Sequence, residues 1–374
     1  MRTETHLLIF RLFLLCVLVA PSLHCAREGD GEGPQACGDC TCNDTPVDDD
    51  DDSGVDDDDS GSDDDDSVEP PDVTTDLPAC EGGVIAAFTD EEIQPPASNS
   101  EEYQVPSGDT LEAVEASILA LMAGQGALAA AEVAVVGYEL CRGEGNESGT
   151  ALWRPLLPGT GRALFAWRAT GARPLIVGVP HANFEALTLE EGVDMFDQLD
   201  ARALVVTGTH RCANTELGGC DGSTSVCGSS APYRISDMAH SVDTVYQVAH
   251  EVFADTFPED TVLSLHGMAG DGISLSSGVS GPVAPDSMHA QLGTLLLLSF
   301  ADADITSCNS FPGASVQQRL CGSTNVQGRH VNGSSEPCDT PAEEISGRFL
   351  HLEQDAEVRQ NYDEIIEDLD ELLP

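Results

Sequence analysis

Positive charge is scarce in this chain: fifteen lysine and arginine side chains stand against sixty-six acids, for a formal net charge of −51. A field of that sign repels phosphate backbones and anionic lipid surfaces, which argues against nucleic-acid binding. Long apolar runs are scarce too. LLIFRLFLLCVLVA, residues 7–20, stands alone in this respect, and Arg11 interrupts it. Such a run is short for a bilayer-crossing helix and suits the h-region of a signal peptide. Residues 1–25 are therefore expected to direct export to the periplasm, outer membrane or cell surface. Cys25 offers a lipid anchor, the one membrane attachment suggested here, but Ser22, Leu23 and His24 fit the small-residue pattern before such a cysteine poorly. A phosphate-binding signature is also missing, since GMAGDG after His266 does not continue into the helix pattern a nucleotide loop requires.

What the chain has in quantity is cysteine and aspartate. Of thirteen cysteines, eight lie from Cys80 onward: Cys80, Cys141, Cys212, Cys220, Cys227, Cys308, Cys321 and Cys338. An even set in an exported protein implies up to four bridges, with connectivity left open. Thirteen aspartates fall between Asp48 and Asp66 in three runs. Residues 26–79 show almost no apolar periodicity and cannot bury enough surface to offset their ordering entropy, so they are expected to form a self-repelling tether. The aspartate runs lack the alternating ligands and turn glycine of a calcium loop. The Cys37, Cys40, Cys42 triplet has no second ligand pair, and local disulfides are the plainer expectation for it.

From residue 80 to residue 374 the pattern is that of an α/β domain, with its core over about 160–374. Asp109 with Glu112 reads as a capping box opening a helix, and VAVVGYEL reads as a strand. ALFAWRA, PLIVGVPHA, ALVVTG, TVLSLHG and GRFLHLEQ read as further strands. Between them, LEEGVDMFDQL (capped by Thr188 with Glu191), VDTVYQVAHEVF and SMHAQLGTLLLLSF have helical spacing, and an acidic helix closes the chain. Alternation of this kind predicts a mostly parallel sheet with helices on both faces.

In such folds ligands gather beyond the carboxyl ends of the strands. PLIVGVP runs into His181 and Glu185, ALVVTG into His210 and Arg211, TVLSL into His266, and FLHLE ends with Glu353. Two imidazoles and a carboxylate converging from separate strands suit a zinc ion with one position left open. A further carboxylate such as Glu353 suits a general base, and an arginine fork at Arg211 beside His210 suits a substrate carboxylate. Each has a plainer role as well. His181 can close a turn, Glu185 can be a solvated loop acid, and His266 can be a core histidine. Glu353 can be an edge residue paired with Arg348 or Arg359. His240 is a reserve metal ligand, and His250 a boundary residue of its helix.

The order PHANFEALT, GTHRCAN, LSLHG, FLHLEQDAEVR over residues 174–359 resembles the zinc-dependent amidohydrolase group that includes N-formylglutamate amidohydrolase and poly-γ-glutamate hydrolase. More distantly it is similar to the N-acetylmuramoyl-L-alanine amidases. The resemblance implies a zinc-exopeptidase-like fold, His181, Glu185 and His266 as zinc ligands, and Glu353 as catalytic base. The His181-to-Glu185 spacing is one residue shorter than in the poly-γ-glutamate enzymes, and Gly267 stands where formylglutamate enzymes carry serine. The expected function is exported zinc-dependent hydrolysis of an amide in a carboxylate-bearing substrate: an N-acyl amino acid, a γ-glutamyl polymer or a peptidoglycan stem peptide. The alternative is a non-catalytic envelope binding protein on the same fold.

Overall fold

The computed structural model describes residues 72–90, 94–157, 159–228 and 230–374. The signal segment, Cys25, the aspartate runs and the Cys37, Cys40, Cys42 triplet lie outside the described residues. Residues 72–79, expected as the end of the tether, instead belong to the folded body. Leu77 is buried in a cluster with Val114 and Ile118, and Ala79 bridges to Arg142.

The strands are β1 (Tyr138–Arg142), β2 (Thr150–Pro155), β3 (Leu164–Arg168), β4 (Arg173–Val179), β5 (Ala201–Val206), β6 (Thr261–Gly267), β7 (Ile273–Ser276), β8 (Gly281–Pro282), β9 (Ile305–Ser307), β10 (Asn309–Ser310), β11 (Ser315–Val316) and β12 (Phe349–Gln354). Ten of them form one sheet in the order β1-β2-β3-β5-β4-β6-β12-β7-β9-β11. The central strands β5, β4, β6 and β12 run parallel. Antiparallel pairs join β3 to β5 and β12 to β7. The parallel strands read as nearly unbroken apolar runs because both their faces are covered.

Period-2 alternation divides each central strand between two cores. Leu175 and Val177 of β4, Leu204 of β5, Leu263 and Leu265 of β6 and Leu352 of β12 join one cluster. Ile176, Ala203, Val205, Val262 and Phe349 face the other. The helices are α1 (Val84–Phe88), α2 (Gly108–Met122), α3 (Gly126–Ala134), α4 (Thr188–Gln198), α5 (Val245–Thr256), α6 (Met288–Ser299), α7 (Val326–Val331) and α8 (Asp363–Leu372). Helices α1, α4, α6 and α8 cover the first face. Helices α2, α3 and α5 cover the second, and α7 packs with α5 and β12.

Several local expectations change in the folded chain. Helix α2 is capped by Ser107, whose side chain accepts from the Thr110 amide, one residue pair upstream of the expected Asp109 box. VAVVGYEL is not one strand: Val133 lies in α3, Gly137 (φ 82°) turns the chain, and β1 begins at Tyr138. The Thr188–Glu191 box does not form. Leu187 in the left-handed region (φ 71°) precedes α4, the Thr188 hydroxyl donates to the Glu185 carbonyl, and Glu191 turns inward to accept from the Gln354 amide. His240 lies in a short 3-10 turn, Met238–His240, ahead of α5, and His250 is buried.

All eight cysteines from Cys80 onward pair: Cys80–Cys141, Cys212–Cys227, Cys220–Cys338 and Cys308–Cys321. Four such bonds suit an oxidising compartment. No helix among the described residues is long and apolar enough to cross a membrane. The Cys220–Cys338 bond spans 118 residues, so it removes much loop-closure entropy from the unfolded chain. The Cys220→Ser, Cys338→Ser double variant is expected to lose about 2–5 kcal/mol of unfolding free energy, measured by denaturant titration beside the wild type.

Candidate metal centre

Parallel alignment brings the carboxyl ends of β4, β6 and β12 to one side of the sheet. Leaving β4, the chain makes a single helix-like turn in which the amides of Phe184 and Glu185 both bond to the His181 carbonyl. The four-residue spacing therefore stacks His181 and Glu185 on one side of that turn, and Glu185 Oε1 lies 2.9 Å from His181 Nδ1. On β6, Ser264 and His266 share the face opposite to Leu263 and Leu265. His266 Nδ1 lies 3.1 Å from His181 Nδ1 and 3.4 Å from Glu185 Oε2. The parallel register sets Glu353 of β12 beside His266 and His351 beside Ser264. His266, His351 and Glu353 form a second group whose ligand atoms lie within 4.8 Å of one another.

The surroundings fix these side chains. His181 Nε2–H donates to Asp237 Oδ1 at 2.9 Å, which leaves Nδ1 facing Glu185 and His266. Arg211 bonds through two of its nitrogens to Asp237 Oδ2, at 2.6 and 3.1 Å, and reaches Glu185 Oε1 at 3.3 Å. The Gly267 amide donates to Glu185 Oε2 at 2.9 Å. A Cβ at Gly267 would overlap an Arg359 guanidinium nitrogen and sit 3.1 Å from the Glu185 Cβ. Arg359 is tied to the carbonyls of Ala186 and Gln354, so it yields little, and a side chain at position 267 would crowd it.

The residues fit a divalent ion by donor chemistry and spacing. A tetrahedral ion with nitrogens at about 2.0–2.1 Å holds them roughly 3.3 Å apart, close to the 3.1 Å between the two Nδ1 atoms. A carboxylate on the far nitrogen of a ligating histidine, as Asp237 is on His181, sets ring orientation and tautomer. Burial disfavours charge throughout this cluster, and ion pairing decides the outcome. For Glu185, burial is outweighed by His181 and His266, which hold it well below the usual carboxylate range. For Asp237, burial is outweighed by Arg211 and His181, again far downward. Burial and Arg211 oppose the His181 imidazolium, yet Glu185 and Asp237 raise its pKa. Arg211 is raised by Asp237 and Glu185 against its burial. Glu353 is pushed upward by burial and by Glu185, and His351 is pushed well down by burial and by His266. The two carboxylates of the centre thus differ in basicity.

The centre opens into a cavity of about 970 Å³, walled by segments 266–271, 317–325 and 223–226. Of the residues singled out from sequence, His181, Glu185 and His266 come together, with Glu353 adjacent. Arg211 lies in the same cluster, but its guanidinium serves Asp237 and Glu185 and not an open subsite. His210 accepts from the Cys212 amide, its ring packs edge-on against Phe184, and it is not among the cavity-lining residues. His240 stands in the cavity wall outside the ligand groups, its Nδ1–H donating to the Thr324 carbonyl at 2.8 Å and its ring stacked on Tyr233. Neither arginine expected beside Glu353 pairs with it: Arg348 donates to the Ala254, Phe257 and Asp260 carbonyls, and Arg359 is committed as above. Sequence reasoning missed Asp237 and His351. His351 was legible as the i−2 neighbour of Glu353 on one strand face, whereas Asp237 sits in a loop with no periodicity to mark it.

No family model and no curated protein matches this chain. Several solved structures are similar to parts of it, among them the following three. A bacteriophage poly-γ-glutamate hydrolase is 13% identical over 54% of this chain and 84% of its own, with a TM-score of 0.27. A provisionally named carboxypeptidase of Burkholderia mallei ATCC 23344 is 10% identical over 63% of each chain, with a TM-score of 0.31. A provisionally named metallopeptidase of Shewanella amazonensis SB2B is 12% identical over 69% of this chain and 92% of its own, with a TM-score of 0.28. Scores of that size assign no activity.

Proposed function

We propose that the chain is a zinc-dependent amidohydrolase acting outside the cytoplasm on an amide in a carboxylate-bearing substrate. The observation that carries this reading is the convergence of His181 Nδ1, His266 Nδ1 and the Glu185 carboxylate beside Glu353 at the floor of one cavity. His181, Glu185 and His266 would hold the ion. When bound, zinc in such a site polarises a carbonyl and lowers the pKa of its water to ~7. Asp237 orients His181 through the Nε2–H bond, and Arg211 holds Asp237 and Glu185 in place. Glu353, made more basic by burial and by the Glu185 charge, takes a proton from the attacking water on a carboxylate oxygen and passes it to the departing amine nitrogen. The C–N bond breaks, one water is consumed, and a carboxylic acid and an amine leave.

The test uses the purified exported form. About one equivalent of zinc per chain is expected by elemental analysis, with amine release from N-acylated glutamates or γ-glutamyl peptides. Chelator should stop that release and added zinc restore it. A zinc-loaded protein that releases amine from none of these substrates overturns the proposal and leaves a binding role.

A further inference from the structure

The chain contains no lysine, so each of its permanent side-chain cations is an arginine. Two arginines line the central cavity, Arg211 and Arg319. Arg211 is buried and spends its guanidinium on Asp237 and Glu185, so it has no fork left for a ligand. Arg319 differs in both respects. Its side chain is exposed to the cavity, and among the described residues its guanidinium has no ion pair, hydrogen bond or ring partner.

An unpaired surface arginine is ordinary by itself. What sets this one apart is the loop that carries it. Cys308–Cys321 closes the loop, and Ser315 and Val316 form β11 on the sheet. The Gln317 amide donates to the Ser307 carbonyl at 2.8 Å, and the Gln317 side chain donates to Ser274 Oγ and Thr306 Oγ1 at 2.7 and 2.8 Å. Leu320, directly after Arg319, is held in the left-handed region at φ 59°. Ser274 is the register partner of Glu353, so Gln317 anchors the loop at the strand that neighbours the base. The backbone at Arg319 is thus fixed on both sides while its guanidinium stays free, which lowers the ordering entropy lost when a ligand is clasped.

We propose that Arg319 is the subsite for the free carboxylate of an acidic acyl substrate whose scissile amide lies at the His181, Glu185, His266 centre. A planar guanidinium pairs with a carboxylate through two parallel hydrogen bonds. In a chain of net charge −51, a local cation offsets part of the repulsion that an anionic substrate meets. This assignment takes its substrate class from the hydrolase reading and moves the carboxylate clamp from Arg211 to the disulfide-closed loop.

The test is calorimetric titration of the full exported chain with glutarate and with butyrate, in zinc-containing buffer. The two probes share one carboxylate for the centre and differ in whether the other end is a second carboxylate or a methyl group. Wild type is expected to bind glutarate about tenfold to a hundredfold more tightly. Arg319→Ala should bring glutarate down to the butyrate affinity and leave butyrate unchanged, and Arg319→Lys should keep part of the preference. The assignment is overturned if wild type shows no preference, if Arg319→Ala retains it, or if that variant loses both probes equally. Amine release, measured separately, keeps the two readings apart. A protein that discriminates through Arg319 but never hydrolyses sinks the hydrolase reading alone, and one that hydrolyses without discriminating sinks the subsite alone.

Discussion

Replacing Glu353 with glutamine is expected to lower amide turnover by about 10²–10⁴-fold while the protein still takes up zinc. Glutamine keeps the shape of the side chain but cannot accept and return a proton. The expectation rests on three features of the position. Glu353 lies in the middle of the sheet, on β12, with β6 on one side and β7 on the other, so its backbone is held by two ladders. The carboxylate approaches no arginine within ion-pair distance, and its nearest titratable contact is His351 Nε2 at 3.9 Å. Burial and the neighbouring Glu185 raise its affinity for a proton, which suits a group that must hold one in transit. Turnover and bound zinc should be measured on one preparation. Full activity in a zinc-loaded Glu353→Gln protein would falsify the assignment of the base.

The second large effect is expected at Asp237, which has no role in the bond-breaking step. Its carboxylate is buried, accepts from His181 Nε2–H and takes two bonds from Arg211. Asp237→Ala leaves a buried guanidinium without its main partner, a change that costs about 3–5 kcal/mol of stability. It also frees the His181 ring to rotate or switch tautomer, for an expected ~10–100-fold loss of zinc affinity. Asp237→Asn separates the two causes, since the amide oxygen still accepts from His181 while the charge facing Arg211 is gone. That variant should recover more zinc affinity than stability. Thermal melts with competitive zinc titration read both quantities, and a folded Asp237→Ala protein with wild-type zinc affinity would remove Asp237 from the centre.

Much of the local architecture is legible in the sequence. TVLSLHG is β6 residue for residue, GRFLHLEQ contains β12, and ALVVTG and PLIVGVP overlap most of β5 and β4. Those strands are apolar on both faces, so composition alone marks them. The short strands β7, β9 and β11 carry serine, threonine and only a few apolar residues, and they join the sheet through their neighbours and not through their own pattern. Helix starts were misplaced where a side chain had a better partner elsewhere. Glu191, a plausible cap partner in sequence, is drawn into the interior by Gln354, 163 residues away.

The sequence by itself determined the strand–helix alternation, the even cysteine count, the place of His181, Glu185 and His266 at strand exits, and the i, i+2 sharing of a face by His351 and Glu353. All of these follow from local periodicity and from the chemistry of single residues. Only the tertiary structure decided that β12 inserts between β6 and β7, that Asp237 backs His181, that Arg211 is used up inside the cluster, and that Arg319 is left free at the cavity. Each of these depends on side chains far apart in the chain competing for the same few buried partners. Periodicity carries no record of who wins that competition, because its outcome is set by register and burial once the sheet has closed.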